Sequence, residues 1–190
     1  MEEMRFEDKT FEITNFSKQE FGHVEYEKCT FQHCDFSSAD LSNAKFSECK
    51  FVGCNLSNAR TVKTVFRAVT FNECKLIGIH FDQCHGFLLS MDFDSCNLDF
   101  CTFGKLNLRK TKFKGSRFHD ADFTEGDLTG SLFDHCDLSR TTFSNCILEK
   151  ADFRTSYNFS IDPERNKIKK AKFSLAGLPG LLHKYDIDIE

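Results

Sequence analysis

The stretch Phe31-Gln32-His33-Cys34-Asp35-Phe36-Ser37-Ser38-Ala39-Asp40-Leu41-Ser42 sets a large apolar residue at every fifth position, Phe31, Phe36 and Leu41. Counted backward, the beat passes through Tyr26, Phe21, Phe16 and Phe11 to Phe6. Forward it runs through Phe46, Phe51, Leu56, Thr61, Phe66, Phe71 and Leu76 to Phe81. It slips by two residues around His85-Gly86-Phe87, resumes at Leu88, and continues in fives to Phe153. With Phe173, 20 of the 23 phenylalanines fall on it, so the pattern belongs to the whole chain; Phe87, Phe100 and Phe159 miss it. A helix repeats about every 3.6 residues and a strand about every 2, so neither gives this period. A short repeat held over most of a chain belongs to a solenoid whose coils touch only their neighbours.

A second slot, two residues before each of these centres, holds small residues: Cys29, Cys34, Ala39, Ala44, Cys49, Cys54, Ala59, Thr64, Val69, Cys74. All ten cysteines occupy it. Two slots therefore point inward and three outward. From Arg5 to Arg154 only Lys9, of all the charged residues, takes an inward slot, as the cost of burying charge requires. The cysteines read as reduced, buried small hydrophobes of a cytoplasmic protein. On stacked coils their parallel side chains hold the Cβ atoms too far apart for a good disulfide. A row of thiols also cannot surround zinc tetrahedrally, so no metal or cofactor is expected.

Ser38-Ala39-Asp40-Leu41, Asp120-Ala121-Asp122-Phe123 and Lys150-Ala151-Asp152-Phe153 resemble the A(D/N)LXX unit of the pentapeptide-repeat family, and the resemblance covers residues 4–157. It implies an all-β chain, a right-handed quadrilateral β-helix with one pentapeptide per side. Residues 1–157 would form this β-helix, and 158–190 a last partial coil, a cap and a dimerisation segment. Residues 20 apart, or 22 across the slip, should then stack. One column would be phenylalanine at every level: Phe11, Phe31, Phe51, Phe71, Phe93, Phe113, Phe133, Phe153, Phe173. Another, Phe6, Tyr26, Phe46, Phe66, Leu88, Leu108, Leu128, Leu148, Ile168, would turn from aromatic to aliphatic near the slip. The slip, His85-Gly86-Phe87, reads as a bulge at one corner.

Past Phe153 the repeat falters. Asn158 and Pro163 stand at the next centres, Asp162-Pro163-Glu164-Arg165-Asn166 reads as a turn, and a partial coil follows from Lys167 to Phe173. Leu175, Leu178, Leu181, Leu182 and Tyr185 have helical spacing that Pro179-Gly180 interrupts, which predicts a short or broken helix. Ile187 and Ile189 alternate with acids as in a short strand. An open solenoid end must be covered. This much apolar surface also suits a two-fold partner, so Leu175, Leu178, Leu181, Leu182, Tyr185, Ile187 and Ile189 are the expected dimer interface.

Nothing in the sequence points to catalysis. His33-Cys34, Cys84-His85 and His135-Cys136 are adjacent pairs, but the cysteine points in and the histidine out. No glycine-rich phosphate loop, HExxH or GxSxG occurs. There is no apolar run of membrane length or at the N-terminus. Within the family, Phe31 to Ser42 and Phe133-Asp134-His135-Cys136-Asp137-Leu138 resemble the Qnr-type quinolone-resistance branch. That resemblance implies a non-enzymatic, cytoplasmic homodimeric rod that imitates a DNA duplex, contacts no nucleic acid itself, and protects DNA gyrase or topoisomerase IV from quinolones. The alternative is a pentapeptide-repeat scaffold for an unrelated protein. A basic band, Lys105, Arg109, Lys110, Lys112, Lys114 and Arg117, precedes an acidic one, Asp120, Asp122, Glu125, Asp127, Asp134 and Asp137, the candidate partner-binding surface. A continuous acidic strip would favour mimicry and a mixed surface the scaffold.

Overall fold

The chain's structure is a computed structural model that describes residues 4–87 and 89–188. Leu88 of the mixed column and Ile189 of the expected interface lie outside the described residues.

The period of five is realised as a right-handed quadrilateral β-helix. Strands β1 (Arg5–Glu7), β3 (Glu25–Glu27), β5 (Lys45–Ser47) and β7 (Val65–Arg67) lie in parallel on the first face. The second face carries β2 (Thr10–Glu12), β4 (Thr30–Gln32), β6 (Lys50–Val52), β8 (Val69–Asn72), β9 (Met91–Asp94), β10 (Lys112–Lys114) and β11 (Leu132–Asp134). The third and fourth faces are ladders of single bridges, Asn15 to Asp35 to Asn55 on one and Glu20 to Asp40 to Arg60 on the other. Register follows the sequence: Phe11 opposes Phe31, and across the slip Phe71 opposes Phe93.

The expected phenylalanine column is continuous. Its rings stack from Phe11 to Phe173 with centroids 4.7–5.4 Å apart and planes within 19°. Within a coil the rings meet edge to face, as Phe113 meets Phe118 at 5.3 Å and 83°. Both arrangements suit the aromatic quadrupole and add about 0.5–1.5 kcal/mol per pair beyond burial. Lys9, the one charge in an inward slot, is exposed at the open first coil, where Phe6, Phe11 and Phe16 are only half-buried.

Each side ends two residues after its centre in left-handed backbone, as at Lys18 (φ 57°), Asn58 (φ 56°) and Lys105 (φ 61°). That conformation costs an ordinary L-residue about 1–2 kcal/mol, and glycine and polar or charged residues hold nearly all of these positions. Ile13 (φ 48°) and Phe100 (φ 60°) break the rule, and both are exposed.

At the far end the coil continues through Lys167 and Lys172, which bridge to Ile147 and Asp152. Phe159, off the beat by one residue, is buried and packs on Phe153 and Phe173 as a lid. The chain then forms a broken helix: a 3-10 turn over Leu175–Gly177, α1 (Pro179–Leu182), and a second 3-10 turn over His183–Tyr185. Gly180 is required here, because a Cβ would lie 2.4 Å from the Phe159 carbonyl oxygen. The cap is fastened to the preceding turn: Lys184 Nζ pairs with Asp162 (2.8 Å) and Glu164 (2.6 Å), and Tyr185 Oη donates to Glu164 (3.1 Å). Ile187 does not form the expected strand; Asp186 turns the chain through left-handed backbone and Ile187 is left exposed.

Candidate functional site

The interior is closed to chemistry. All ten cysteines are free and buried. Their thiols do more than fill space. Cys34 Sγ donates to the Phe11 carbonyl (3.4 Å), Cys54 to Phe31 (3.3 Å), Cys74 to Phe51 (3.4 Å) and Cys96 to Phe71 (3.4 Å). Thr64, Thr141 and Ser156 do the same with their hydroxyls toward Leu41 (2.7 Å), Phe118 (2.6 Å) and Phe133 (2.6 Å). The slot thus selects a small hydrogen-bond donor that ties one coil to the coil before it. Sequence reasoning missed this; the signal was the mixture of Cys, Ser and Thr where Ala alone would fill the space. Burial pushes the thiols of Cys49, Cys84 and Cys136 up to about 12 and that of Cys146 to about 11, so they are protonated and unreactive near neutrality. His33, His85 and His135 are exposed on the opposite side of the backbone from their neighbouring cysteines. Among the described residues no group of His, Cys, Asp and Glu could hold a metal ion, and no helix is long and apolar enough to cross a membrane.

The outer surface is where the molecule has chemical variety. Many aspartates just before a centre are held by their own turns. Asp35 accepts the Ser37 N–H at 2.9 Å, Asp40 that of Ser42 at 2.9 Å, and Asp122 that of Thr124 at 2.8 Å. This is the local turn chemistry that aspartate and asparagine favour.

The acidic band is not gathered into a strip. Successive pentapeptides occupy successive faces, so Asp120 and Asp137 share the third face, Asp122 and Glu125 lie on the fourth, Asp127 on the first and Asp134 on the second. The six carboxylates encircle the rod. Arg140 grips Asp120 through two bonds of 2.7 Å, Arg109 holds Asp127 at 2.7 Å, His119 meets Asp137 at 2.9 Å and His135 meets Asp134 at 2.7 Å. The Asp137 carboxyl is held down to about 2: burial opposes this, but bonds from His119, Ser139 and Asn158 outweigh it. The basic band is likewise interleaved with acids, Lys114 with Asp94 (3.2 Å) and Arg117 with the buried Asp99 (2.6 Å). Lys105, Lys110 and Lys112 stand exposed around the same level.

Besides scattered residues such as Ile13, Phe100 and Tyr157, two apolar features stand out on this mixed surface among the described residues. The first is the cap, where Leu175 is 87% exposed and Leu178, Tyr185 and Ile187 are also exposed, while Leu181 and Leu182 are half-buried and Leu181 packs on the core. The second is the register break, where Phe87 is 72% exposed beside exposed His85 and Gly86.

The profile of the family described as pentapeptide repeat region matches residues 24–86 and 79–153, and the chain belongs to that family. No curated protein sequence matches it. Among solved structures, one trypsin-treated form of QnrB1, a plasmid-mediated fluoroquinolone resistance protein, is similar with a TM-score of 0.62 and 21% identity, covering 98% of this chain and 91% of that one. A second trypsin-treated form gives a TM-score of 0.50 at 20% identity, covering 98% and 99%. HetL, a pentapeptide repeat protein involved in heterocyst differentiation regulation in the cyanobacterium Nostoc sp. strain PCC 7120, gives 0.49 at 16% identity, covering 92% and 86%.

Proposed function

We propose that this pentapeptide-repeat chain is a non-enzymatic rod that binds a type II topoisomerase, DNA gyrase or topoisomerase IV, in the place of DNA and protects it from quinolones. The observation that carries the reading is the segregation of the molecule: rings and thiols inside, ladders of charged side chains at coil spacing outside. Such a surface fits one large partner better than a small substrate. The fold shared with QnrB1, a fluoroquinolone resistance protein, supports the choice of partner. Exposed Leu175, Leu178, Tyr185 and Ile187 support pairing of two chains at their caps, with Leu181, Leu182 and Ile189 completing the contact. Such pairing would double the rod and bring the rings of acidic residues, Asp120 to Asp137, toward its middle.

A second reading, a scaffold for an unrelated protein, is favoured by the pairing of four of those six carboxylates with Arg or His. A supercoiling assay of DNA gyrase with ciprofloxacin separates the two. Purified protein should restore supercoiling in the presence of the drug, and no restoration would leave the scaffold. Changing Leu175 and Leu178 together to Glu should give monomers in sedimentation velocity. A wild type that is itself monomeric would remove the dimer.

A further inference from the structure

We propose that the register break is a docking site for an acidic, partly apolar peptide segment of a partner protein. Along the first face, below the break, runs a groove of about 570 Å³ whose end is formed by Lys63, Val65, Arg67, His85 and Phe87. On the other side of the bulge lies a second hollow of about 480 Å³ that includes Gly86, Met91, Lys110 and Lys112. Phe87, at the end of the first, is 72% exposed.

The charges sort along the groove. At its distal end Arg5 is paired with Glu27, and midway along it Lys45, opposite Val65, is paired with Glu25. Beside the break, the side chains of Lys63 and Arg67 have no hydrogen-bond or ion-pair partner among the described residues, nor have those of Lys110 and Lys112 across the bulge, where the Lys112 backbone N–H donates to Asp92 (2.8 Å). Two cations, Lys63 and Arg67, thus line the groove with the exposed Phe87 ring and the half-buried Val65, and two more, Lys110 and Lys112, line the second hollow beside Gly86. An extended peptide places alternate side chains on opposite sides at about 3.4 Å per residue. Carboxylates on one side would reach the four cations while apolar side chains on the other cover Phe87 and Val65. Nucleic acid suits the site less well, since a charge every 1.7 Å or so of duplex would run against Glu25, Glu27 and Asp92, which line the same hollows. The four cations are opposite in sign to the acidic rings and none of their side chains bonds to them, so failure of either proposal leaves the other standing.

Fluorescence anisotropy of the full chain with a fluorescein-labelled peptide of alternating glutamate and leucine tests it. The peptide should bind, and Lys63→Glu with Arg67→Glu should weaken binding by about tenfold or more, as reversal of charges facing an anion does. Phe87→Ser should weaken it without moving the melting temperature, while Lys150→Glu, remote from the break, should leave it unchanged. The proposal would be overturned by no binding at millimolar protein, by binding of the double variant and Phe87→Ser equal to that of the unchanged chain, or by a labelled DNA duplex binding more tightly through the same residues. Loss of self-association in Phe87→Ser would equally overturn it, by making a second copy of the chain the occupant.

Discussion

The second face and the first face are built from the same repeat, yet among the described residues only the second pairs without a break. On the second, parallel pairing runs from Thr10 through β11 and on by bridges from Leu132 to Asp152 and Lys172. On the first, the regular strands stop at Arg67, and the ladder is next seen where Asn107 bridges Asp127. The whole difference arises from two extra residues at the corner between the fourth and first faces. One side later the register is restored, with Val69 opposite Met91 and Phe71 stacked on Phe93 at 5.3 Å. A solenoid absorbs an insertion in this way because each coil answers only to its neighbours. What the insertion changes is the outside.

The sharpest way to break the comparison is to remove a ring from each face. Phe71 stacks on both sides, at 5.0 Å on Phe51 and 5.3 Å on Phe93, and Phe71→Ala should cost about 3–5 kcal/mol in urea unfolding. Phe66 stacks on Phe46 at 5.5 Å but faces the break above. Phe66→Ala should therefore cost less, by about one stacking contribution of 0.5–1.5 kcal/mol. Equal losses would mean that the break does not interrupt the column on the first face.

The thiols test whether the break divides the rod thermodynamically. Cys49 lies before it and Cys136 after it, both pushed to about 12 by burial, against an ordinary value of 9.0. A folded-state value above the unfolded one gives stability that is complete below about pH 9 and lost as pH rises toward 12, because the unfolded chain releases its protons first. One alkaline unfolding transition is expected, followed by circular dichroism; two would show halves that unfold independently. Native thiol labelling near neutrality should be slow at all ten cysteines.

Smaller effects should be equal across the break. Thr64→Val and Thr141→Val each remove a hydroxyl donating to a carbonyl of the coil before, at 2.7 and 2.6 Å. Each should lower stability by about 0.5–1.5 kcal/mol, and an unequal pair would show that the donor slot matters only in one half. Smallest is Ile13→Gly, which relieves a β-branched residue at φ 48°. Against the entropy of glycine it should raise stability by about 0.5 kcal/mol, seen as a slightly higher melting temperature.

The inward slots were legible in the sequence because packing acts on them at every coil: the Phe11 column, the buried thiols and the slip at His85 all follow from the count. Phe159 was not, since it serves as a lid by leaving the beat, and only Gly177 and Gly180 packed against it reveal the role. Ile187 alternates with acids like a strand residue but has no neighbouring strand to join. The outer slots face solvent, where no packing rule links a residue to its purpose. Asp120, Asp122, Asp127, Asp134 and Asp137 therefore read as one band along the chain although they wrap around four faces and bond to their own turns and to Arg or His.

Thermal unfolding of a chain lacking Gly86 and Phe87 tests most directly whether the break is a surface feature on a self-sufficient rod. The deletion brings Leu88 into step with Phe81 and removes a ring that is 72% exposed. The midpoint should equal or exceed that of the full chain, as the deletion puts the count of five back in register at this corner. A midpoint lower by several degrees would show that the bulge holds the two halves together, and would contradict the separation of an inside that makes the rod from an outside that meets its partner.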